Sequence, residues 1–180
     1  SPSVPRSIPT SDDNNTRHPT AERDPASATR AALNRAAPDT VAVCVDKIAA
    51  ALRVSGSSHA SSASGESCAI SPETLAAADL IVKRGAKEPS FRAVYADIAR
   101  GVASKVGCEI SNSFADAITK STLAPFQTRC APGKGGTHLA GHAVFAAELH
   151  HRQLVTAEDV GAVARRLAAV SYTHLRAHET

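Results

Sequence analysis

Large side chains are scarce in this chain. It has no tryptophan and no methionine, and its aromatic residues are Phe91, Phe114, Phe126, Phe145, Tyr95 and Tyr172. Hydrophobic residues make up 43% of its 180 positions, but many are alanines, which bury little area each. Such a core is dense only if its elements approach closely, which points to tightly packed helices and to marginal stability in isolation. No C-x-x-C pair occurs among Cys44, Cys68, Cys108 and Cys130. No structural zinc is therefore expected, and the cysteines read as reduced thiols, with Cys44 packed on a helix face. No secretory signal and no long apolar run is present, so the expectation is a cytoplasmic protein with no membrane association. A net charge of +3 is too small to imply polyanion binding from the total alone.

No stretch reads as a strand. Residues 1–28 are rich in proline and in Ser, Thr, Asp and Asn, and a disordered segment is expected there. A helical region follows over 29–52, broken at Pro38, which is suited to the first position of the second helix. Val41, Cys44, Val45, Ile48 and Leu52 form its apolar face. The serine-rich run 55–67 reads as a flexible loop. Ser71-Pro72-Glu73 is a helix start: a capping hydroxyl, a proline in the first turn and an acid near the positive helix end. Leu75, Ala78, Ile81 and Val82 face inward from that helix. Asn112 or Ser113 is expected to cap a further helix, with Phe114, Ala117, Ile118, Thr122 and Phe126 inward and Pro125 kinking or ending it. Residues 127–137 form a glycine-rich loop. A helix spans about 138–153, and Thr156-Ala157-Glu158-Asp159 caps a last one carrying Val160, Val163, Ala164 and Leu167 inward. About six helices in antiparallel pairs result, the pattern of an all-α, HEAT-like α-solenoid with about three pairs.

The most informative stretch is Lys87–Val102, KEPSFRAVYADIARGV. Phe91, Val94, Tyr95, Ile98 and Val102 recur at helical spacing, which makes one apolar stripe and places Phe91 and Tyr95 in the core. Around it lie Lys83, Arg84, Lys87, Arg92, Arg100 and Lys105, against Glu88 and Asp97 alone. Those six cations are either a solvated helix face or part of an RNA-facing surface.

The string Glu88-Pro89-x-Phe91-x-x-x-Tyr95-Ala96 resembles a signature of the middle domain of eukaryotic translation initiation factor 4 gamma. The likeness extends over about 29–168. Arg30, Leu33, Asn34, Arg35 and Pro38 resemble the family's opening, and Leu80-Ile81 with Lys83 resembles the segment before its Glu-Pro. Phe114 and Phe126 fall at the spacing of two phenylalanines in its second repeat, although the Cys and Gln between them are missing. Glu148-Leu149 followed by Leu154-Val155-Thr156 resembles a later motif. Departures are the short glycine loop before the third repeat, Ala146-Ala147 in place of an apolar-glycine pair, and the missing tryptophan that docks on the family's helicase partner.

The resemblance implies a scaffold that binds mRNA and a DEAD-box RNA helicase of the initiation factor 4A type within a translation initiation complex. It implies no enzyme activity and no cofactor. It makes Glu88, Pro89, Phe91, Tyr95, Ala96, Glu148 and Leu149 the signature core. An RNA-processing relative of the same family and a generic helical-repeat interaction module are the alternatives. Family domains have five helical pairs, so the chain is expected to be truncated. Its opening on Ser1 agrees. Val170–Thr180, VSYTHLRAHET, reads as a one-frame translation of a sequencing-library adapter, with Ala169 attributable to the preceding codon. Residues 169–180 are therefore expected to carry no function.

Other constellations do not carry chemistry. His138 and His142 share a helix face, but no acidic ligand stands at ligand spacing, so no metal site is expected. Gly133-Lys134-Gly135-Gly136-Thr137 lacks the Lys-Ser/Thr step of a phosphate loop. No Ser-His-Asp or Cys-His arrangement emerges, so no catalytic residue is assigned.

Overall fold

The computed structural model describes residues 24–57, 70–127 and 136–176. Every regular element among them is helical: α1 (Pro25–Leu33), α2 (Val41–Ser57), α3 (Pro72–Lys87), α4 (Arg92–Lys105), α5 (Cys108–Gln127), α6 (Gly136–His151) and α7 (Ala157–Arg176). A short 3-10 turn, Pro89–Phe91, joins α3 to α4. The fold is all-α, as the absence of strand patterns implies.

Local chemistry sets the helix ends. The Asp24 carboxylate accepts the Ala26 N–H at 3.1 Å and Pro25 occupies the first turn, so α1 starts at Pro25. The expected disorder to residue 28 is thus corrected for 25–28, while 1–23 lie outside the described residues. Pro38 does not open α2. It sits in a turn tied by Thr40, whose Oγ1 accepts the Ala37 N–H and donates to the Arg35 carbonyl, both at 2.8 Å. The helix starts after that hydroxyl, at Val41. It continues to Ser57, so the first residues of the expected serine-rich loop are helical, and 58–67 lie outside the described residues.

The Ser71 hydroxyl accepts the Thr74 N–H at 3.1 Å and starts α3. At the start of α7 the Thr156 hydroxyl accepts the Asp159 N–H at 3.2 Å, and Asp159 accepts the Thr156 N–H at 3.3 Å. That reciprocal pair is a capping box with aspartate in the glutamate position. α5 begins at Cys108, ahead of the expected Asn112 or Ser113 cap, and carries Pro125 in its last turn. The expected loop 127–137 is shortened, with Gln127 in α5, Gly136 in α6 and 128–135 outside the described residues.

α3 is the central element, packing against α1, α4, α5 and α6. α1 and α2 form one pair, α3 and α4 the next, with α1 against α3 and α2 against α4. Beyond that, α5 lies beside α3, α6 leans on α3 more than on α4, and α7 packs on α6 and α5. The expected inward residues of α5, Phe114, Ala117, Ile118, Thr122 and Phe126, are all buried. Ala164 of α7 is exposed, in contrast to the expectation, while Val163 is buried. Cys44 is a free, buried thiol whose S–H donates to the Ala32 carbonyl at 3.3 Å.

Small residues make these close approaches possible. A Cβ at Gly85 of α3 would lie 2.2 Å from Cε2 of Phe145, and one at Gly141 of α6 would lie 2.4 Å from the Ala86 carbonyl oxygen. The Phe145 ring is fully buried against the bare Gly85 backbone. Burial of a side chain of that size stabilises by about 1.5–3 kcal/mol.

Candidate functional site

Glu88 and Tyr95 join Arg84 and Asn34 in a polar clasp across three helices. The chain turns sharply between α3 and α4, because Pro89 opens the 3-10 turn and Glu88 closes α3 with its N–H on the Arg84 carbonyl at 2.9 Å. That turn folds the start of α4 back onto the end of α3. Tyr95 then donates its hydroxyl to Glu88 Oε2 at 2.5 Å, and Arg84 donates to Glu88 Oε1 at 2.7 Å. The other terminal nitrogen of Arg84 donates to Asn34 Oδ1, also at 2.7 Å, just past the end of α1. Asn34 and Glu88 come from separate strings of the resemblance, and one guanidinium joins them. A planar fork with donors in fixed directions suits that role.

The charges agree with the geometry. The Glu88 carboxyl is held below its ordinary value, first by the Tyr95 hydroxyl and then by Arg84, against the opposing effect of burial. The Tyr95 hydroxyl is pushed up to about 12, first by burial and then by the carboxylate it bonds. Ala96 and Leu149 are fully buried. Phe91 is not. It lies in the 3-10 turn, ahead of the helical register, and is 39% exposed, with its ring centroid 6.4 Å from that of Tyr95. The expectation of a core Phe91 is corrected accordingly.

A second clasp, which the sequence analysis did not single out, centres on Arg152. Its Nε donates to Asp97 at 2.6 Å, and its terminal nitrogens donate to Glu148 at 2.7 Å and to the Ala93 carbonyl at 3.2 Å. It ties the chain just past α6 to α4. Asp97, then Glu148, raise the guanidinium's affinity for its proton. Glu148 thus acts through Arg152.

Of the six cations, Lys83, Arg84 and Lys87 line one groove, and Arg92, Arg100 and Lys105 are not among its lining residues. Arg84 is committed to the first clasp. Arg92 donates to the Gly85 carbonyl at 3.2 Å and so caps the end of α3. Lys105 pairs with Asp46 of α2. Lys83 pairs with Asp79 at 2.6 Å within α3. Lys83, Lys87, Arg100 and Lys105 are exposed, and Lys83 and Lys87 border a groove of ≈ 570 Å³ between α3, α5 and α6. Leu80, Ala124 and Pro125 supply its apolar lining, and buried Ser121 and His142 also reach it. Among the described residues no group of three or more His, Cys, Asp or Glu is placed to hold a metal ion, and the His138 side chain lies outside them. No helix among them is long and apolar enough to cross a membrane.

No family model, no curated protein and no solved structure matches the chain.

Proposed function

We propose that the chain is a helical scaffold of the initiation factor 4G middle-domain type, which holds a DEAD-box helicase of the initiation factor 4A class and mRNA in the cytoplasm. One observation supports this reading above the others. Asn34 of the opening string and Glu88 and Tyr95 of the signature string meet through Arg84 in a single bonded chain. Two strings that resemble one family therefore depend on each other physically. A scaffold acts by positioning. A surface that does not deform can favour one arrangement of the two helicase lobes by the difference in its affinity for the two states. The clasps at Glu88 and Arg152 supply that stiffness around α3 and α4.

A protein-interaction module without an RNA role is the second reading. The internal commitments of Arg84, Arg92 and Lys105 favour it, because those cations have donors already in use. Two measurements on the full chain separate the readings. The scaffold raises the RNA-dependent ATPase rate of a purified initiation factor 4A-type helicase. It also binds oligouridylate with an affinity that falls as salt rises, and Arg100→Glu lowers the slope by about one phosphate contact. No stimulation refutes the scaffold reading. Stimulation without salt-dependent RNA binding leaves protein binding as the function.

A further inference from the structure

We propose that the groove between α3, α5 and α6 is a docking site for an acidic amphipathic helical segment of a protein partner. The inference rests on the scaffold reading only in requiring a protein ligand, and it does not require that the ligand be a helicase.

Size, lining and charge lead to this occupant. At ≈ 570 Å³ the groove has room for one or two large side chains. Its apolar lining of Leu80, Ala124 and Pro125 favours aliphatic or aromatic anchors. Its α3 edge carries three cations, Lys83, Arg84 and Lys87, against the carboxylate of Asp79. Asp79 offsets Lys83, and Glu88 offsets Arg84, so Lys87 carries the excess. Lys83 and Lys87 are both exposed and stand one helical turn, about 6 Å, apart along α3. Carboxylates one turn apart on an incoming helix match that spacing, while the apolar face of the same helix meets the lining.

Nucleic acid fits less well. Single-stranded RNA gains affinity by stacking bases on aromatic rings, and among the described residues no aromatic lines the groove. Phe91, the exposed aromatic beside the clasp, is not among the lining residues. Lys83, Arg84 and Lys87 thus border an apolar slot suited to a peptide.

The test uses the full chain and a fluorescein-labelled helical peptide with leucine along one face and glutamate along the other. Its counterpart carries lysine at every glutamate position. Fluorescence anisotropy at low salt should show saturable binding of the glutamate peptide, with the lysine peptide at least about tenfold weaker. The double variant Lys83→Glu/Lys87→Glu should reverse that preference. Ala124→Trp, which fills the slot from an exposed position, should abolish binding of either peptide, whereas Lys47→Glu, on an exposed position of α2 away from the groove lining, should leave it unchanged. Circular dichroism checks that each variant keeps its helices, and the reversed preference itself reports a folded groove. Absence of saturable binding overturns the proposal. So does binding that ignores both the charge swap and Ala124→Trp, or that oligouridylate displaces competitively. Peptide binding in the groove without retention of a helicase would uphold this inference and refute the scaffold reading. Helicase retention without peptide binding would do the reverse.

Discussion

Replacing Tyr95 by phenylalanine removes one hydroxyl and leaves the buried ring in place. That hydroxyl donates the 2.5 Å bond to Glu88. A hydrogen bond to a charged group contributes about 1.5–3 kcal/mol net. Two features favour the lower end. The Glu88 side chain is 31% exposed, so the released oxygen regains water, and the other oxygen keeps Arg84 at 2.7 Å. The expected loss at neutral pH is about 1.5 kcal/mol, or a fall in Tm of about 3–6 °C. The pH dependence has a defined sign at each end. Glu88 is held below its ordinary value of 4.5, so its contribution is present above that pH and is lost as pH falls through the lower folded value. Tyr95 is raised from 10.0 to about 12, so its contribution is present below pH 10.0 and is lost as pH rises toward 12. Urea denaturation followed by helical circular dichroism, from acidic through neutral to alkaline pH, reads both effects. Tyr95→Phe should be less stable at neutral pH and should lack the wild-type loss above pH 10.0 that belongs to this hydroxyl. Equal stability at neutral pH with an unchanged alkaline profile would refute the clasp.

Three further substitutions test the packing. Gly85→Ala places a Cβ 2.2 Å from the Phe145 ring, and the overpacking cost of about 1–3 kcal/mol should exceed the helix-propensity gain of about 1 kcal/mol, so a stabilised variant in urea titration would refute the contact. Arg152→Lys keeps the charge but cannot reach Asp97, Glu148 and the Ala93 carbonyl together, and a loss of about 2 kcal/mol with reduced amide protection at the end of α6 is expected; unchanged protection would contradict the second clasp. Phe91→Ala should cost less than about 1 kcal/mol, because the ring is 39% exposed, whereas a loss of about 3–5 kcal/mol would return it to the core.

Much of the helical layout was legible because its signals are local. Ser71-Pro72-Glu73 and Thr156 to Asp159 are starts whose capping bonds form within three residues. The α5 stripe from Phe114 to Phe126 was legible because five inward positions keep one helical phase. Phe91 failed for the complementary reason. It matches the α4 phase on paper but lies in a 3-10 turn, where that phase does not apply. Asp24-Pro25 carried a readable helix start that the surrounding Pro-rich composition obscured. Thr40, rather than Pro38, sets the start of α2 through hydroxyl bonds that either residue's identity alone would not reveal.

The clasps were legible only in part. The resemblance singled out Glu88 and Tyr95, but the linear charge count left Arg84 on either a solvated helix face or an RNA-facing surface. Its partner Asn34 is 50 residues away, and no local pattern connects them. Arg152 carried one local signal, Glu148 four residues before it, while its partner Asp97 is 55 residues away in α4 and no local pattern connects them. The groove is likewise a tertiary feature, built where α5 and α6 meet the Lys83–Lys87 edge of α3.

The central claim, a scaffold that holds a helicase, is tested most directly by retention of purified initiation factor 4A-type helicase on the immobilised full chain. The account predicts retention, weakened when Tyr95→Phe loosens the clasp. A chain that circular dichroism shows to be helical and that retains no helicase would contradict it.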